Sequence, residues 1–146
     1  MGGRLLRRRI ILPLKNISDI NRRLSLIEFL NKEDALKYEI KDLLKGISDL
    51  DRLIGKLAAE KISPKELGHL RQSVINIQEI RTKLLKFPDV LAWLDPIINL
   101  EDLIDFIKNH LNDELPVNIN KGNVIREGIS EELDHLRNIQ NKGRGF

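Results

Sequence analysis

The chain has 146 residues, of which 41% are apolar, 32% charged and 4% aromatic, a balance typical of one soluble domain rich in helices. The low aromatic content, together with only 9 Gly and 5 Pro, disfavours a β-sandwich with many turns. The absence of Cys excludes disulfides, thiolate-bound zinc and cysteine nucleophiles, and no apolar run approaches the roughly 18 residues of a membrane span.

Positive charge is concentrated at the start of the chain. Residues 1–23 carry seven cationic side chains against one carboxylate, a net charge of +6, so the remainder contributes −3 to the total of +3. This basic start lacks the long apolar stretch and the cleavage site of a signal peptide. A basic end on a mildly acidic body suits a phosphate-bearing partner or an acidic neighbouring surface, or is simply solvated.

The first third of the sequence predicts three helices. A short helix over Gly2–Leu12 ends before Pro13, which lacks an amide hydrogen and clashes with the preceding turn. Ser18 is predicted to cap a second helix, and a third runs from about residue 34 to 45 and stops at Gly46. The second helix has apolar residues at steps of three and four: Ile20, Leu24, Ile27 and Leu30.

The middle of the sequence predicts a short helix followed by a long one. Ser48 and Asp51 resemble a capping box that opens a helix over Asp49–Lys61. The apolar stripe of this helix consists of Leu50, Leu53, Ile54 and Leu57. The clearest start signal is Ser63-Pro64-Lys65-Glu66, because serine can accept an amide hydrogen bond, proline tolerates the first helical position and glutamate reaches back. The long helix that follows is expected to end at Phe87-Pro88.

The last third contains two more helices and one irregular stretch. After a short segment around Trp93, Pro96 is expected to break the chain, and apolar spacing then predicts a helix to about residue 111. Residues 115–129 contain Pro116, Gly122 and Gly128 and predict a loop or a small hairpin. Ser130 is predicted to cap the final helix. The fold class is therefore all-α, an antiparallel bundle of six to seven helices forming a single domain over residues 1–146.

The sequence offers no recognisable catalytic or metal-binding constellation. The histidines (His69, His110 and His135) are far apart and are expected to lie at the surface. Four serines stand at predicted helix starts, where capping explains them better than nucleophilic catalysis: Ser18, Ser48, Ser63 and Ser130. Gly55-Lys56 lacks the glycine that a phosphate-binding loop needs five positions earlier. We therefore expect a chain that is not an enzyme and has no catalytic, cofactor-binding or metal-binding residues.

The arginines of the first helix are the candidate site. Arg4, Arg7, Arg8 and Arg9 could contact phosphate groups or a neighbouring domain, and Arg22 and Arg23 could widen the patch. Consecutive helical residues lie about 100° apart, so neighbouring arginines fan around the axis. No aromatic residue that could stack on bases occurs in residues 1–23. A solvated or interdomain role is favoured over direct DNA binding.

Three groups of motifs follow one another along the chain. The opening group is Gly2-Gly3-Arg4-Leu5-Leu6-Arg7-Arg8, Leu12-Pro13-Leu14 and Ile20-Asn21-Arg22-Arg23-Leu24. The central group is Asp49-Leu50-Asp51-Arg52-Leu53-Ile54-Gly55-Lys56-Leu57-Ala58 and Ser63-Pro64-Lys65-Glu66-Leu67. The closing group is Asn112-Asp113-Glu114-Leu115-Pro116-Val117, Gly122-Asn123-Val124-Ile125-Arg126-Glu127-Gly128 and Glu131-Glu132-Leu133-Asp134-His135-Leu136-Arg137. In this order and spacing they resemble the core (lever) region of the bacterial MutS family of DNA mismatch sensors.

Two positions depart from the family pattern, and a sister family has to be weighed. Arg9 stands where a tryptophan is common, and Asn123 replaces the second glycine of the usual pair, a position where Asn tolerates φ > 0 better than most residues. A MutS-like family without the mismatch-reading domain shares the central motifs. The opening motif and the loop over Pro116–Gly128 favour the mismatch-repair branch.

The resemblance implies a mechanical role within a larger protein. It implies a helical core without the mismatch-reading, connector, clamp and ATPase domains, which couples the ATPase domain to the DNA clamp. It implies ATP and Mg²⁺ as cofactors of the full-length family member and no cofactor for this fragment. The expected partners are the clamp, connector and ATPase domains and, through the whole protein, mismatched double-stranded DNA. A homodimeric, cytoplasmic bacterial parent is expected, with no membrane contact. The alternative is an independent helical interaction module that binds DNA weakly and non-specifically through its basic N-terminus.

Overall fold

The computed structural model describes residues 2–94 and 97–143 of the chain, and these residues form an all-α helical bundle. Within these ranges there are seven helices of nine or more residues and one four-residue helix, α6. They are α1 (Gly3–Ile11), α2 (Ile17–Lys32), α3 (Asp34–Lys45), α4 (Leu50–Ala58), α5 (Pro64–Leu84), α6 (Leu91–Leu94), α7 (Glu101–His110) and α8 (Glu131–Gly143). The predicted fold class is confirmed. The break expected at Pro96 lies outside the described residues.

The long helix α5 is the centre of the bundle, since it contacts α3, α4, α6 and α7. Its predicted capping box is present: the Glu66 amide donates to Ser63 Oγ at 3.3 Å, and the Ser63 amide donates to Glu66 Oε2 at 3.2 Å. Glu66 Oε1 also accepts hydrogen bonds from Lys56 (2.6 Å) and Arg52 (2.9 Å) on α4. Lys56, the Ser63 amide and Arg52 lower the pKa of Glu66 to about 2, so this carboxylate joins α4 to α5 in its charged form.

The apolar core lies between α4, α5 and α7. Its buried members are Leu53, Leu70, Val74 and Ile104, and Leu53 is fully buried. Partly buried apolar residues complete the cluster: Leu50, Ile62, Leu67, Ile75 and Leu100. The stripes predicted for α4 and α7 therefore place some of their residues in the core. Burial of this kind is the main favourable term in folding.

The buried face of α5 also carries three polar side chains, and each of them bonds to a neighbouring segment. Ser73 Oγ accepts a hydrogen bond from the Ser48 amide at 2.9 Å. Asn76 Nδ2 donates to the Leu43 carbonyl at the end of α3 at 3.0 Å. Gln78 bonds to the segment that leads into α7. Because buried polar groups are costly when unpaired, these bonds fix where the neighbouring segments meet α5.

The glycine at the end of α3 is required by this arrangement. Gly46 follows Lys45, where the sequence predicted the stop, but its φ of −79° is ordinary for any residue. A Cβ atom at this position would instead collide with the side-chain amide of Asn76. Gly46 therefore serves the close approach of α3 and α5 rather than a left-handed turn.

Two predicted helix caps are wrong. Asn16, and not Ser18, caps α2, because the Asn16 side chain accepts a hydrogen bond from the Ser18 amide at 2.8 Å. Asp49, and not Ser48, caps α4 by accepting from the Arg52 amide at 3.4 Å. In both pairs two good capping residues lie close together, and the neighbouring structure selects one of them.

The predictions for two further helix ends have opposite outcomes. α4 ends at Ala58 instead of continuing to Lys61, because Glu60 adopts a φ of 55° and the Lys61 amide bonds back to the Lys56 carbonyl at 2.8 Å. The predicted cap of the last helix is confirmed, since the Leu133 amide donates to Ser130 Oγ at 3.3 Å.

The stretch between α7 and α8 is a loop held by one antiparallel bridge between Leu111 and Ile125. The described residues contain no paired strands there, so the loop alternative is correct and the hairpin is not formed. Asn123 has a φ of 58°, in the left-handed region that the family resemblance brought into question. Backbone carbonyls of the loop accept hydrogen bonds from three arginines, one on α5, one on α8 and one in the loop itself. Arg71 on α5 donates to Asn112 (2.9 Å) and Asp113 (2.6 Å). Arg137 on α8 donates to Ile125 (2.7 Å), and Arg126 in the loop donates to Leu111 (2.7 Å). The loop is therefore well anchored despite its lack of regular structure.

Candidate functional site

The candidate arginines lie on α1, at the edge of the bundle. α1 has no buried residue, and its last turn contains Arg8 and Arg9. A Gly2 with a φ of 80° precedes the helix, and Leu12 ends it before Pro13, as predicted. This position leaves α1 open to solvent on most sides, so its side chains are free to contact a further molecule or domain.

Arg4 is the one candidate arginine with an acidic partner among the described residues. Its Nη2 lies 2.8 Å from Asp49 Oδ1, and this hydrogen bond lowers the pKa of Asp49. A shallow groove between the start of α1 and residues 47–51 surrounds the pair. Both side chains are exposed, so the pair orients α1 on the bundle more than it stabilises the fold.

Arg4 also shares one side of α1 with two of the other candidates. Arg4, Arg7 and Arg8 line a shallow groove together with Ile11, as their spacing of three, four and seven residues requires. Arg9 is not part of this groove. The expected fanning of neighbours therefore separates Arg9 from the other arginines but leaves Arg7 and Arg8 on the same side.

Arg7, Arg8 and Arg9 have no carboxylate partner in the described part of the chain. Unpaired guanidinium groups at a solvent-exposed helix attract phosphates or carboxylates of another molecule. Whether they contact a phosphate or a neighbouring domain stays a prediction.

Arg22 does not widen this patch. Its guanidinium lies over the Trp93 ring at 4.6 Å from the ring centroid, and Nη2 donates to the Ala92 carbonyl at 2.7 Å. The rings of Phe29 and Phe87 meet edge to face with centroids 5.1 Å apart. These contacts join α2 to the segment that carries α6. This role of Arg22 was not predictable from the sequence, because no local pattern links Arg22 to a tryptophan 71 positions later.

The candidate metal ligands of residues 2–94 and 97–143 do not gather into a cluster. No group of three or more His, Asp or Glu side chains there is placed to hold a metal ion. His69 and His135 are exposed, and His110 stacks on Phe106 at 4.1 Å while its Nδ1 lies 2.7 Å from the Phe106 carbonyl. None of the described helices has the length and apolar character needed to cross a membrane.

Large apolar side chains remain exposed on several helices. The predicted α2 stripe is the clearest case, because Ile20, Leu24 and Ile27 are exposed while the other side of α2 packs inward. α1 exposes Leu6 and Ile10, and α8 exposes Leu136 and Ile139. Apolar surface of this extent is typical of faces that pack against another protein surface.

Comparisons with known proteins agree on one family. Residues 1–142 match the family model described as MutS domain III. The chain is 40% identical over 148 residues to the DNA mismatch repair protein MutS of Flavobacterium johnsoniae, and 41% identical over 149 residues to that of Cytophaga hutchinsonii. A third relative, the DNA mismatch repair protein MutS of Methanosarcina acetivorans, is 32% identical over 150 residues. Each alignment covers 99–100% of this chain but only 17% of the relative, so the chain is similar to one segment of a much longer protein.

Proposed function

The chain belongs to the MutS family, as its domain III, and from that premise we propose that it is the non-catalytic structural core of a DNA mismatch repair protein. In that protein it couples the ATPase domain mechanically to the DNA clamp. ATP and Mg²⁺ bind to the ATPase domain, outside this segment. The clamp, connector and ATPase domains are its direct partners, and mismatched double-stranded DNA is bound by the whole protein, which works as a cytoplasmic homodimer.

The observation that carries this proposal is the arrangement around α5. This helix of 21 residues is about 31 Å long, and it contacts four other helices. Because its hydrogen-bonded backbone moves largely as one element, a displacement at one end reaches the helices at the other end. The bonds from Ser73, Asn76 and Gln78 to neighbouring segments support such transmission, since they leave little freedom between α5 and its neighbours.

The exposed parts of the bundle support the same role. The open apolar faces of α1, α2 and α8 offer surfaces for other domains of the family member. The arginines Arg7, Arg8 and Arg9 offer charge for an acidic domain surface. An isolated, self-sufficient module would be expected to cover more of this apolar area.

Mechanical coupling can be tested by lowering the helix propensity of α5 within the full-length protein. Glu79 is exposed in the C-terminal half of α5, and Glu79→Gly lowers helix stability by about 1 kcal/mol relative to Glu79→Ala. We expect the glycine variant to hydrolyse ATP at the normal basal rate while its ATP-triggered release from a G·T duplex slows by about threefold or more. Stopped-flow fluorescence of labelled duplex and a steady-state ATPase assay measure the two quantities.

The alanine variant is the matched control, because it removes the same carboxylate and the same 3.7 Å contact with Lys83. It should release DNA at the wild-type rate. Equal release rates for the two variants would contradict the coupling role of α5. A parallel loss of ATP hydrolysis in the glycine variant alone would do the same, since the defect would then lie in the ATPase domain.

A second candidate function is weak, non-specific DNA binding by the basic end of the chain, which the unpaired Arg7, Arg8 and Arg9 favour. With about three phosphate contacts, the affinity for duplex should fall about 40-fold between 50 and 200 mM salt. We expect a fluorescence titration with the chain to give equal affinities for homoduplex and G·T-mismatched DNA. Arg7→Glu/Arg8→Glu should abolish this binding, because it replaces phosphate attraction by repulsion.

The control for the titration is Lys65→Glu/Lys108→Glu, which changes the net charge by the same amount on α5 and α7. It should reduce binding far less than the α1 variant. A preference for the mismatched duplex that persists at 200 mM salt would contradict both candidate functions. It would place a mismatch-reading site within the 146 residues.

A further inference from the structure

The last helix, α8, differs from α4 and α7 in how it is attached to the bundle. Among residues 131–140 no side chain is buried: Leu133 is half-buried and Leu136 is exposed. By contrast, α4 and α7 place Leu53 and Ile104 in the core. Most helices in proteins are held by a buried apolar face, so the direction of α8 has to be fixed by other contacts.

Arg137 joins α8 to the loop that precedes it. Its Nη2 donates to the Ile125 carbonyl at 2.7 Å, and its Nη1 lies 3.2 Å from Asp134 Oδ1. Asp134 Oδ2 accepts a hydrogen bond from the Gly128 amide at 2.6 Å. The side chains of Arg137 and Asp134 are only 21% and 27% exposed, so their interaction is less screened by solvent than that of a fully exposed pair. α8 is therefore bonded to the loop at two points.

Arg71 joins the same loop to α5. Its two terminal nitrogens donate to successive carbonyls, Nη1 to Asn112 at 2.9 Å and Nη2 to Asp113 at 2.6 Å. Because the guanidinium group is planar and rigid, two such bonds fix the direction of the loop segment as well as its position. One turn earlier on α5, a Cβ atom at Gly68 would lie 3.3 Å from Leu115 Cδ1, so the loop also packs closely on the helix there.

Asn112 connects the two arginines. Its carbonyl accepts from Arg71, and its Nδ2 donates to the Ile125 carbonyl at 3.2 Å. That carbonyl is the one that also accepts from Arg137. A continuous series of hydrogen bonds therefore leads from α5 through Asn112 and Ile125 to α8, and the bonds from the arginines are of the stronger, charge-assisted kind.

Arg126 makes the middle of this series rigid. Its Nε donates to the Leu111 carbonyl at 2.7 Å, its Nη2 donates to Asp113 Oδ1 at 2.8 Å, and its amide donates to the His110 carbonyl at 3.0 Å. Both sides of the loop are thus bonded to each other at the end of α7. A displacement of the segment that Arg71 holds is passed on to the segment that Arg137 holds.

We propose that Arg71, Asn112 and Arg137 form a hydrogen-bond relay that sets the direction of α8 relative to α5. In this relay Arg71 is a positioning residue that acts on α8 through the loop, since its own bonds end on Asn112 and Asp113. Loss of the relay leaves α8 free to turn as a rigid helix about Gly128, which precedes it with a φ of 85°. The proposal goes beyond the mechanical role proposed for α5 and does not depend on it.

The distance between spin labels on the two helices tests the relay. The chain has no Cys, so Lys65→Cys on α5 and Asn138→Cys on α8, both at exposed positions, provide two labelling sites. Pulsed electron paramagnetic resonance should give one narrow distance distribution for the labelled chain. Arg71→Met and Arg137→Met should each widen this distribution about twofold or more, because either change interrupts the connection between the helices.

The matched control is Arg81→Met on the same helix. Arg81 is also half-buried and also donates to a backbone carbonyl, that of Ile97 before α7, at 3.0 Å. It should leave the distribution narrow. The double variant Arg71→Met/Arg137→Met should be no wider than the single variants, because the two residues belong to one relay and their effects are not additive.

Arg71→Lys provides a second, milder variant that keeps the charge. A single ammonium group cannot reproduce the planar pair of bonds to two carbonyls, so the distribution should be wider than in the wild type and narrower than in Arg71→Met. Circular dichroism should show wild-type helicity for the lysine variant, so that a widened distribution reports the direction of α8 and not unfolding.

Three results would overturn the relay. The first is a broad distribution in the labelled chain without further substitution. The second is a distribution that stays narrow in Arg71→Met or, if that variant does not fold, in Arg71→Lys. The third is equal widening by Arg81→Met, which would mean that any lost bond on α5 loosens the bundle. Neither ATP nor DNA enters the measurement, so its outcome is distinguishable from that of the Glu79→Gly test.

Discussion

Leu53→Ala is expected to lower the free energy of unfolding by about 3 kcal/mol, which is a large part of the stability of a domain of this size. Leu53 is fully buried, at the point where α4 packs on α5 and α7. Removing its branched end leaves a cavity beside Leu70 and Val74 on α5 and Ile104 on α7, and these two helices cannot both close inward to fill it. Urea denaturation followed by circular dichroism measures the loss, and the fluorescence of Trp93 provides a second probe.

The control for this substitution is the next residue. Ile54 is 54% exposed on the same helix, so Ile54→Ala should change the free energy of unfolding by less than about 1 kcal/mol. Alanine raises the helix propensity in both variants, slightly more at Ile54 because isoleucine is β-branched, and this difference is small beside the expected effect of burial. Similar losses at the two positions would contradict the placement of the core on the Leu53 side of α4.

The pair Leu53 and Ile54 also shows what the sequence could predict of the fold. Apolar spacing predicted an amphipathic helix here, because periodicity is a property of neighbouring residues. The same spacing did not tell which part of a wide apolar stripe is covered. In α2, a regular stripe was predicted and the residues Ile20, Leu24 and Ile27 turned out to be exposed, because the number of packing partners is decided by the rest of the fold.

The helix starts show the same difference between features that neighbouring residues determine and features that distant contacts determine. The capping box of Ser63 and Glu66 was predicted because both partners lie within one turn of the chain. The cap of α4 was assigned to Ser48 instead of Asp49. The structure explains the choice, since the Ser48 amide is bonded to Ser73 Oγ on α5, 25 residues away. No local pattern contains that information.

The candidate site also combines features that follow from local sequence with features that depend on distant contacts. The basic character of α1 follows from composition alone, and the groove shared by Arg4, Arg7 and Arg8 follows from helix periodicity. The ion pair between Arg4 and Asp49 and the contact of Arg22 with Trp93 join residues 45 and 71 positions apart. Long-range pairs of this kind depend on the folded arrangement of the helices, so no local pattern distinguishes a free arginine from one that is engaged in a contact.

Gln78→Met is expected to lower the free energy of unfolding by about 2 kcal/mol. Gln78 is buried on α5, where its Nε2 donates to Asn99 Oδ1 at 2.9 Å and its Oε1 accepts from the Leu100 amide at 3.2 Å. Methionine has nearly the same volume, so the change removes hydrogen bonds without creating a large cavity. The Leu100 amide then loses its partner at the start of α7, where an unpaired amide near the core is costly.

The matched control is Glu79→Met, which places the same residue one position later on the exposed side of α5. It loses only the 3.7 Å contact with Lys83 and should change the free energy of unfolding by about 0.5 kcal/mol or less. Amide hydrogen exchange adds a site-specific measurement, because Gln78→Met should increase exchange at Leu100 and in the first turn of α7 before it does so in α4. Uniform loss of protection throughout the bundle would instead mean that Gln78 acts only as a space-filling residue. The bond to Leu100 would then not be what holds α7 against α5.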